Sequence, residues 1–481
     1  MAWVHSSLKI GTNGDPMKAL ALVARSRATG LVCVVALLAP LAAARGQEWR
    51  NDIQYASSTV AATDDAASPA ADDACDLEAD CNSCPTCWRP YDPCGELQAR
   101  MEACAKQMAQ QGIVYAPGMT QFYQGVAGGG NEQEFEYGGK VDQFLILDGT
   151  KLGVWDGMTM TMHVETRFGQ DVNREAVGFA PVNVAMLYPN LGEHDTAITN
   201  LTFDQVLTED IHATFGKFNA LDMFYALYPE TGRGVNGFMN TSMVIPLACA
   251  RTVPLSFMGA GLSKYQGTQA EGGVMVFDPQ NVTTTSGLDD MFDNGANIMG
   301  YWRFFSDVNG LPGSHYFGGI WSTGEYVSFD PTGFVIVPGQ GLVVDRQSGA
   351  YTLLYIFEQT LWMDCSNKKR NVTLLSQWGL AEPETSPVAW SANVAIQGTG
   401  FNRSRPDDAI GVGYFYTGVS NDLENALAPL INLQDVNGVE IYYNAAVNKF
   451  FHLTADFQVI EPADVTNNTA LVFGLRGTIG M

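Results

Sequence analysis

The stretch from Met158 to Phe168, M-T-M-T-M-H-V-E-T-R-F, constrains the fold more than any other segment. In an extended strand, successive side chains point to opposite faces. Methionine, valine and phenylalanine then share one face, while histidine, glutamate and arginine share the other. At about 3.3 Å of rise per residue and a tilt of about 45°, eleven residues just cross a hydrocarbon layer. The segment fits a membrane-spanning β-strand or a half-buried strand of a soluble sandwich.

The same alternation recurs further along the chain. Apolar and polar side chains alternate from Val388 to Gln397 and from Phe451 to Val459. Near the C-terminus, Leu475 and Arg476 are expected on opposite faces of one strand. A soluble sandwich would rarely sustain this pattern to the C-terminus. Closing the sheet removes its edges, and a membrane barrel turns the apolar face outward. We therefore predict an all-β chain in which residues 112–481 form a transmembrane antiparallel β-barrel.

Composition excludes several classes of protein. The chain has 26 basic and 51 acidic residues, a formal net charge of -25, so nucleic acid is not an expected partner. After the first fifty residues no run of eighteen apolar residues lacks a charge, which argues against helical membrane spans. The 50 glycines and the 11% aromatic content fit an all-β chain with many turns.

The N-terminus predicts export. Residues Gly30 to Leu41 form an apolar run behind basic residues, and Ala42 to Ala44 offer a small-residue cleavage site. This predicts a signal peptide over residues 1–44. A transmembrane anchor is the alternative, but the apolar run is too short for one. Residues 45–74 are rich in Ala, Ser, Thr and Asp, which predicts a disordered acidic linker.

A cysteine-rich segment separates this linker from the barrel. Its cysteines are Cys75, Cys81, Cys84, Cys87, Cys94 and Cys104. In an exported chain they predict disulfides of undetermined connectivity. A zinc site is the alternative, because the spacing from Cys81 to Cys87 resembles a metal knuckle. Strong helix formers from Cys94 to Gln111 predict that this module, residues 75–111, ends in a helix. A cell-envelope contact, an oligomerisation arm and a plug are all compatible with it.

Several motifs resemble one known family. Residues Gly310 to Gly324, G-L-P-G-S-H-Y-F-G-G-I-W-S-T-G, resemble the glycine-rich signature of the OprB-type carbohydrate-selective porins. Leu147 to Trp155 is similar to that family's D-x-x-K-L-G-x-W turn, and Gly400 to Gly413 is similar to a later landmark. The motifs occur in the family's order. The cysteine-rich module has no counterpart there.

The resemblance implies the location and the transported molecules. We expect an outer-membrane barrel of sixteen strands, surrounded by lipid, that passes monosaccharides or small oligosaccharides by diffusion. No catalytic residue, metal or cofactor is expected. A monomer and a homotrimer both stay open.

Strand parity selects candidate pore residues. A lumen that favours sugars needs planar donors, carboxylate acceptors and aromatic faces. The polar side chains that parity directs inward are His163, Glu165, Arg167, His212, Asp456 and Arg476. For Glu165 and Arg167, a salt bridge that only stiffens the wall is the alternative to a sugar contact.

Two further groups of residues are candidates for the constriction. The first would stack on sugars or narrow the pore through inward-folded loops, and it comprises Trp302, Arg303 and Trp321. The second is the R-P-D-D segment with Arg405, Asp407 and Asp408, for which a turn with a local ion pair is the alternative.

Aromatic residues near segment ends are compatible with interfacial girdles. These residues are Tyr188, Tyr228, Tyr301, Trp302, Trp321, Trp362, Trp378 and Trp390.

Two other classes of protein compete with a channel. A secreted β-rich glycosidase would need two converging carboxylates, for which Glu165 and Asp456 are candidates. A structural envelope protein would act through the cysteine-rich arm. No motif groups a nucleophile with a base, which favours the channel.

Overall fold

A computed structural model of the chain describes residues 93–177, 179–187, 189, 196–228, 236–337, 341–428, 430–448 and 450–480. The predicted signal peptide, the acidic linker, Tyr188 and four of the module's cysteines lie outside the described residues. Those cysteines are Cys75, Cys81, Cys84 and Cys87.

Sixteen strands form a closed antiparallel barrel, and two short strands form a separate hairpin. The barrel strands are β1 Ile113–Gly128, β2 Phe135–Asp148, β3 Met158–Gly169, β4 Thr196–Val206, β5 Ile211–Asn219, β6 Ser256–Gln266, β7 Gln269–Phe277, β8 Asn297–Val308, β9 Leu311–Val327, β12 Arg346–Met363, β13 Asn371–Ala381, β14 Val388–Thr399, β15 Ala409–Val419, β16 Val436–Ala446, β17 Phe451–Glu461 and β18 Ala470–Gly480. The hairpin consists of β10 Phe334–Val337 and β11 Gly341–Val344. The predicted all-β barrel is confirmed.

The barrel closes because β1 pairs with both β2 and β18. Gly118 lies opposite Asp142 on one side and Gly480 on the other. Every strand of the barrel therefore has two hydrogen-bonded neighbours, which leaves no exposed edge.

The two rims of the barrel differ in the length of their connections. Residues 207–210, 267–268 and 309–310 join strands at one end, here called the turn rim. Residues 170–195 and 220–255 join strands at the other end, here called the loop rim. In outer-membrane barrels, short turns face the periplasm and longer loops face the exterior. Because β1 begins at the turn rim, the N-terminal part of the chain enters the barrel from that side.

The outer face of the barrel is apolar, as the alternation predicts. Exposed aliphatic and aromatic side chains stand on successive strands, among them Tyr123, Phe215, Leu262, Val274, Trp378, Val394, Ile441, Leu453 and Phe473. Val388 departs from the predicted parity and packs inside, because the register shifts between Val388 and Trp390.

Short helices lie in the connections between the barrel strands, and an N-terminal helix precedes the first strand. They are α1 Pro93–Gln110, α2 Gly149–Leu152, α3 Asn173–Ala176, α4 Ala220–Leu227, α5 Thr241–Val244 and α6 Asn421–Leu427. Helix α1 covers the segment for which the sequence predicts a helix. None of the described helices has the length and apolar character needed to cross a membrane.

The D-x-x-K-L-G motif makes the tight turn between β2 and β3. The Asp148 side chain accepts a hydrogen bond from the Lys151 backbone N–H at 3.0 Å and caps α2. Gly153 ends the helix at a φ of 67°, a left-handed conformation that favours glycine. The motif is therefore a single helical turn with a cap at each end.

Three cysteines in the described part of the chain carry free thiols. Cys104 carries a free thiol within the described part of the chain, and Cys365 is exposed in the turn after β12. Cys249 is buried, and burial raises the pKa of its thiol to about 12, which keeps it protonated. The disulfides of the cysteine-rich module stay a prediction.

Candidate functional site

The inward faces of β2 and β3 carry a buried network of charged groups. The Lys140 ammonium donates to Glu165 and lies 3.0 Å from Asp142. Asn219, which caps α4, donates to the second carboxylate oxygen of Glu165 at 3.0 Å. Glu165 therefore lies inside, as predicted, but its ionic partner is Lys140 and not Arg167.

His163 joins this network to a helix inside the barrel. Its Nδ1 lies 2.7 Å from Asp222 on α4, and its Nε2 lies 3.0 Å from Asp142 on β2. The Phe144 ring stacks on the imidazole with centroids 3.8 Å apart. His163 therefore fixes α4 to the wall.

A group of possible metal ligands lies in the same network. One polar atom each from Asp142, His163 and Glu165 falls within 4.8 Å of the others. Lys140 contacts both carboxylates, so its ammonium already supplies the positive charge that a cation would bring. We interpret the group as an ion-pair network.

Helix α4 extends across the lumen. Its first turn contacts β3 through Asp222 and His163. At its other end the Leu227 carbonyl accepts hydrogen bonds from Arg303 on β8 and from the Tyr316 hydroxyl on β9. The Arg303 guanidinium also lies 3.9 Å from the centre of the Tyr316 ring. The predicted inward position of Arg303 is thus used to hold the helix.

The rest of the connection between β5 and β6 lies against the opposite wall. We call residues 220–228, which include α4, and residues 236–255 the second infolded segment. The first infolded segment precedes it in the chain and is described below. Arg476 on β18 donates to the Gly237 carbonyl at 2.7 Å. The Glu440 carboxylate on β16 accepts from the backbone N–H groups of Met239 at 2.5 Å and Asn240 at 3.0 Å. Wall charges therefore satisfy the backbone of a segment that would otherwise bury bare peptide groups.

Amides on two further strands continue this pattern. Asn393 on β14 donates to the Ser242 carbonyl at 2.7 Å. Gln377 on β13 donates to the Val244 carbonyl at 3.1 Å. The part of the second infolded segment that follows α4 is therefore bound to the wall from β13 to β18.

The connection between β3 and β4 supplies a first infolded segment, residues 170–177 and 179–187. Gln458 on β17 donates to the Val182 carbonyl at 3.0 Å. Thr241 donates its backbone N–H to Pro181 at 2.9 Å, which joins the two infolded segments directly. The segments form one layer against the wall.

An apolar cluster fills the space between this layer and the barrel. Its members include Val182, Phe238, Met243, Val244, Leu247, Leu375, Ala395, Phe415, Tyr442 and Val472. The sequence predicts a hydrophilic interior, and the structure corrects this for the side from β13 to β18. The infolded segments need an apolar interface with the wall once their backbone groups are hydrogen-bonded.

Arg167 holds the beginning of the first infolded segment. It donates to Asp171 just beyond β3 and lies 3.4 Å from the Pro189 carbonyl. The side chain is buried inside the barrel, as parity predicts.

We expect Arg167→Ala to change conductance or the sugar concentration that half-saturates the channel, while the barrel still folds. Removing the guanidinium leaves Asp171 without its ionic partner and loosens the start of the first infolded segment, at a cost of about 1–3 kcal/mol. Planar-bilayer recordings with sugar titration measure the first effect, and heat-modifiable migration in gels measures folding. Unchanged transport would remove Arg167 from the pore residues.

The remaining predicted wall residues also point inward, but the two tryptophans do not. His212 lies 2.8 Å from Asp204, and Asp456 accepts from Gln458 at 2.8 Å. Trp302 and Trp321 stand on the outer face, 41% and 67% exposed, so their predicted place in the lumen is wrong. Inward neighbours alternate with them on β8 and β9, so strand parity alone sends both rings outward.

The girdle prediction divides in the same way. Trp302, Trp321, Trp362, Trp378 and Trp390 are exposed, as a lipid-facing girdle requires. Tyr228 is buried at the end of α4, where it contacts the Tyr316 ring, so it is not part of a girdle. Tyr301 lies on the same inward face of β8 as Arg303, so its place in the girdle prediction is also wrong.

The R-P-D-D segment forms a turn at the turn rim. Arg405 binds Asp408 through two nitrogens at 2.5 and 2.9 Å. Asp408 also accepts from the Tyr443 hydroxyl and from the Ala446 backbone N–H. The Asp407 side chain is exposed. This geometry supports the alternative of a turn with a local ion pair.

We expect the Asp408 ion pair to make stability depend on pH. Burial alone would raise the pKa of Asp408, but hydrogen bonds from Arg405 and Tyr443 hold the pKa below its usual value. A lowered folded pKa stabilises the fold above the ordinary Asp pKa of about 3.9, and this is lost as pH falls through the folded pKa. Asp408→Ala should therefore cost about 1 kcal/mol at neutral pH and less at about pH 2. Thermal unfolding at both values measures this.

Asp407→Ala is the matched control, because it removes a neighbouring carboxylate that is exposed. An equal loss of stability in both variants would contradict the assigned role of Asp408.

Sequence reasoning missed Lys140, which joins the buried charges of the wall, and three residues that hold the second infolded segment. Those three are Glu440, Asn393 and Gln377. All four lie at inward positions of strands with alternating burial, so parity could have found them. Their partners are backbone groups or distant side chains, and no local pattern marks those.

A closed sixteen-stranded barrel with an apolar exterior and segments folded into its interior defines a porin of the outer membrane. The sequence model described as "Carbohydrate-selective porin, OprB family" matches residues 132–481, more than two thirds of the chain. The chain belongs to this family, and it is a passive, sugar-selective channel.

Solved structures show the same fold. The high-pH structure of Pseudomonas putida OprB has a TM-score of 0.67 at 17% identity and covers 78% of this chain and 96% of its own. The low-pH structure of the same porin has a TM-score of 0.50 at 13% identity, with coverages of 80% and 98%. At these identities the similarity concerns the fold alone. No curated protein sequence matches the chain.

Proposed function

We propose that the channel passes neutral monosaccharides and small oligosaccharides by diffusion and carries out no chemical step. The observation that carries this proposal is the anchoring of two infolded segments to the lumen wall, the first to β17 and the second to β3, β8 and β16. Segments fixed in this way narrow the lumen to a constant size. A fixed constriction with hydroxyl, carboxylate and aromatic groups suits solutes of the size and polarity of sugars.

The inward carboxylates support a channel over a glycosidase. Glu165 is held by Lys140 and Asn219 near β2 and β3. Asp456 lies on β17 with Gln458, in a separate hydrogen-bonded group. A hydrolase would need both carboxylates at one scissile bond. Each of them instead stabilises a different part of the lumen.

Liposome swelling tests the proposal. Liposomes that contain the refolded full-length chain are diluted into isotonic sugars of increasing size. We expect swelling rates to fall steeply from monosaccharides to trisaccharides, and to exceed those of charged sugars of similar size. Equal rates for all solutes would contradict a fixed, sugar-selective constriction. Release of a hydrolysed product would contradict the absence of chemistry.

We also propose that residues 1–44 direct export and that residues 45–111 act on the periplasmic side of the membrane. The entry of the chain at the turn rim supports this side for the module. Such a module is well placed to contact the cell envelope. Chemical crosslinking in outer membranes distinguishes a monomer from a homotrimer. A variant that keeps the predicted signal peptide but lacks residues 45–92 tests whether this part of the N-terminal region is needed for either state.

A further inference from the structure

Inward side chains that stay partly open to solvent lie on β4 to β8, beside α4. Inward positions of β13 to β18 are buried under the infolded segments, whereas Asp204, Ser263, Tyr265 and Tyr301 are only partly buried. We call these four residues and His212 the wall patch. Asp204, Ser263, Tyr265 and Tyr301 are therefore wall side chains that keep some exposure to the lumen, whereas His212 is buried and lies within hydrogen-bond distance of Asp204.

Strand register places the wall patch on one face. His212 lies opposite Ser263, Ser263 lies opposite Gly273, and Gly273 lies opposite Tyr301. Directly paired residues share a face of an antiparallel sheet. Arg303, two residues after Tyr301, reaches the Leu227 carbonyl inside the barrel. The shared face is therefore the lumenal one.

The neighbouring residues confirm this direction. Phe215, Leu262, Val274 and Trp302 alternate with the residues of that face, and all four are exposed on the lipid side. The two faces of β5 to β8 thus differ sharply in chemistry.

Asp204 provides a held hydrogen-bond acceptor. One carboxylate oxygen lies 2.8 Å from His212 Nδ1, and the other accepts from the Thr214 hydroxyl at 2.7 Å. A carboxylate oxygen has two lone-pair directions, so each oxygen retains capacity for a further donor. The Tyr265 ring lies 4.4 Å from the His212 ring, which places an aromatic face beside this acceptor.

Tyr301 lies across β7 because Gly273 has no side chain. A Cβ at Gly273 would come within 2.9 Å of Tyr301 Cε1 and 3.1 Å of Ser263 Oγ. The space beside Gly273 is thus shared by the Tyr301 ring and the Ser263 hydroxyl. A glycine therefore lets the ring lie along the wall.

We propose that the wall patch is a sugar-contact site that takes a pyranose ring, which rests on the proposed function. Tyr265 and Tyr301 offer aromatic faces to the C–H side of the ring, and Asp204 accepts a hydrogen bond from a sugar hydroxyl. Aromatic contact suits a solute that must leave as easily as it enters, because stacking is weak and tolerant of orientation.

The test compares Tyr301→Leu with Trp302→Leu in planar bilayers. The two residues are adjacent on β8 and face opposite sides of the wall, so the second variant is the matched control. We expect Tyr301→Leu and Tyr265→Leu each to raise the glucose concentration that halves the ionic current by about two- to tenfold. Trp302→Leu should leave it unchanged. Sorbitol, which has no pyranose ring, should block the wild type weakly and respond to none of the variants.

The outcomes separate the two proposals. A wild-type current that glucose does not reduce, together with size-independent swelling, overturns the proposed function. In the other outcome, glucose reduces the wild-type current in a saturable way and both tyrosine variants show the same glucose block. That result overturns the wall patch but not the proposed function. Should Tyr301→Leu fail to fold, Tyr265→Leu and Asp204→Asn decide, since Asn keeps the shape of Asp204 but removes its charge.

Discussion

Glu440→Ala is expected to widen the channel, with single-channel conductance rising on the order of twofold as the second infolded segment moves away from β16. The Glu440 carboxylate is buried in the lumen and accepts from the backbone N–H groups of Met239 and Asn240. Each buried donor left without a partner costs about 1–3 kcal/mol. This change destabilises the position of the second infolded segment. It does not destabilise the barrel, because the strands keep their own hydrogen bonds. Planar-bilayer recordings measure the change.

Glu440→Gln is the intermediate variant. The amide oxygen still accepts from one of the two backbone N–H groups, but the amide nitrogen cannot accept from the other. We expect its conductance to lie between that of the wild type and that of Glu440→Ala. If Glu440→Ala conducts like the wild type, without added current noise, the carboxylate does not hold the segment in place.

Lys140→Met is expected to have the largest effect on stability. The Lys140 ammonium lies between Asp142 and Glu165, and all three side chains are buried. Removing the cation leaves two buried carboxylates close together, and breaking a buried pair in this way costs about 3–5 kcal/mol. Denaturant titration of the refolded protein in detergent measures the free energy of unfolding.

Two further variants make this prediction specific. Lys140→Met combined with Glu165→Gln removes one of the two buried carboxylates that lost the lysine. It should recover about 1–3 kcal/mol of the lost free energy of unfolding. Lys151→Met removes a lysine whose side chain is 54% exposed and lies 3.3 Å from Asp148 at the turn rim. A surface pair contributes about 0–1 kcal/mol, so this variant should be nearly neutral. Equal losses at Lys140 and Lys151 would contradict the buried network.

Polar side chains on the inner wall suggest a surface that contacts the solute, but many of them hold the infolded segments instead. Glu440, Arg476, Asn393 and Gln377 bind backbone groups of the second infolded segment. A peptide group inside a barrel must find a partner as surely as one in a protein core. Much of the inner surface therefore fixes the shape of the channel, and a smaller part is left for the solute.

Alternation predicted which way most side chains point. Parity alone predicts that His163, Glu165, Arg167 and Arg476 point inward, and the structure places all four side chains inside the barrel. Parity also predicts that Trp302 faces outward, since Arg303 beside it faces inward. The two residues cannot both point into the lumen, because they are neighbours on one strand.

Local sequence determined the barrel, its apolar exterior and the capped turn at Asp148, because each depends on residues adjacent in the chain or on a period of two. Only the tertiary structure decided which inward charges meet each other and which meet the infolded segments. Glu440 and Asn240 are far apart in sequence, and no local periodicity links them. Their contact exists because barrel closure brings β16 within reach of a segment that needs buried acceptors for its backbone.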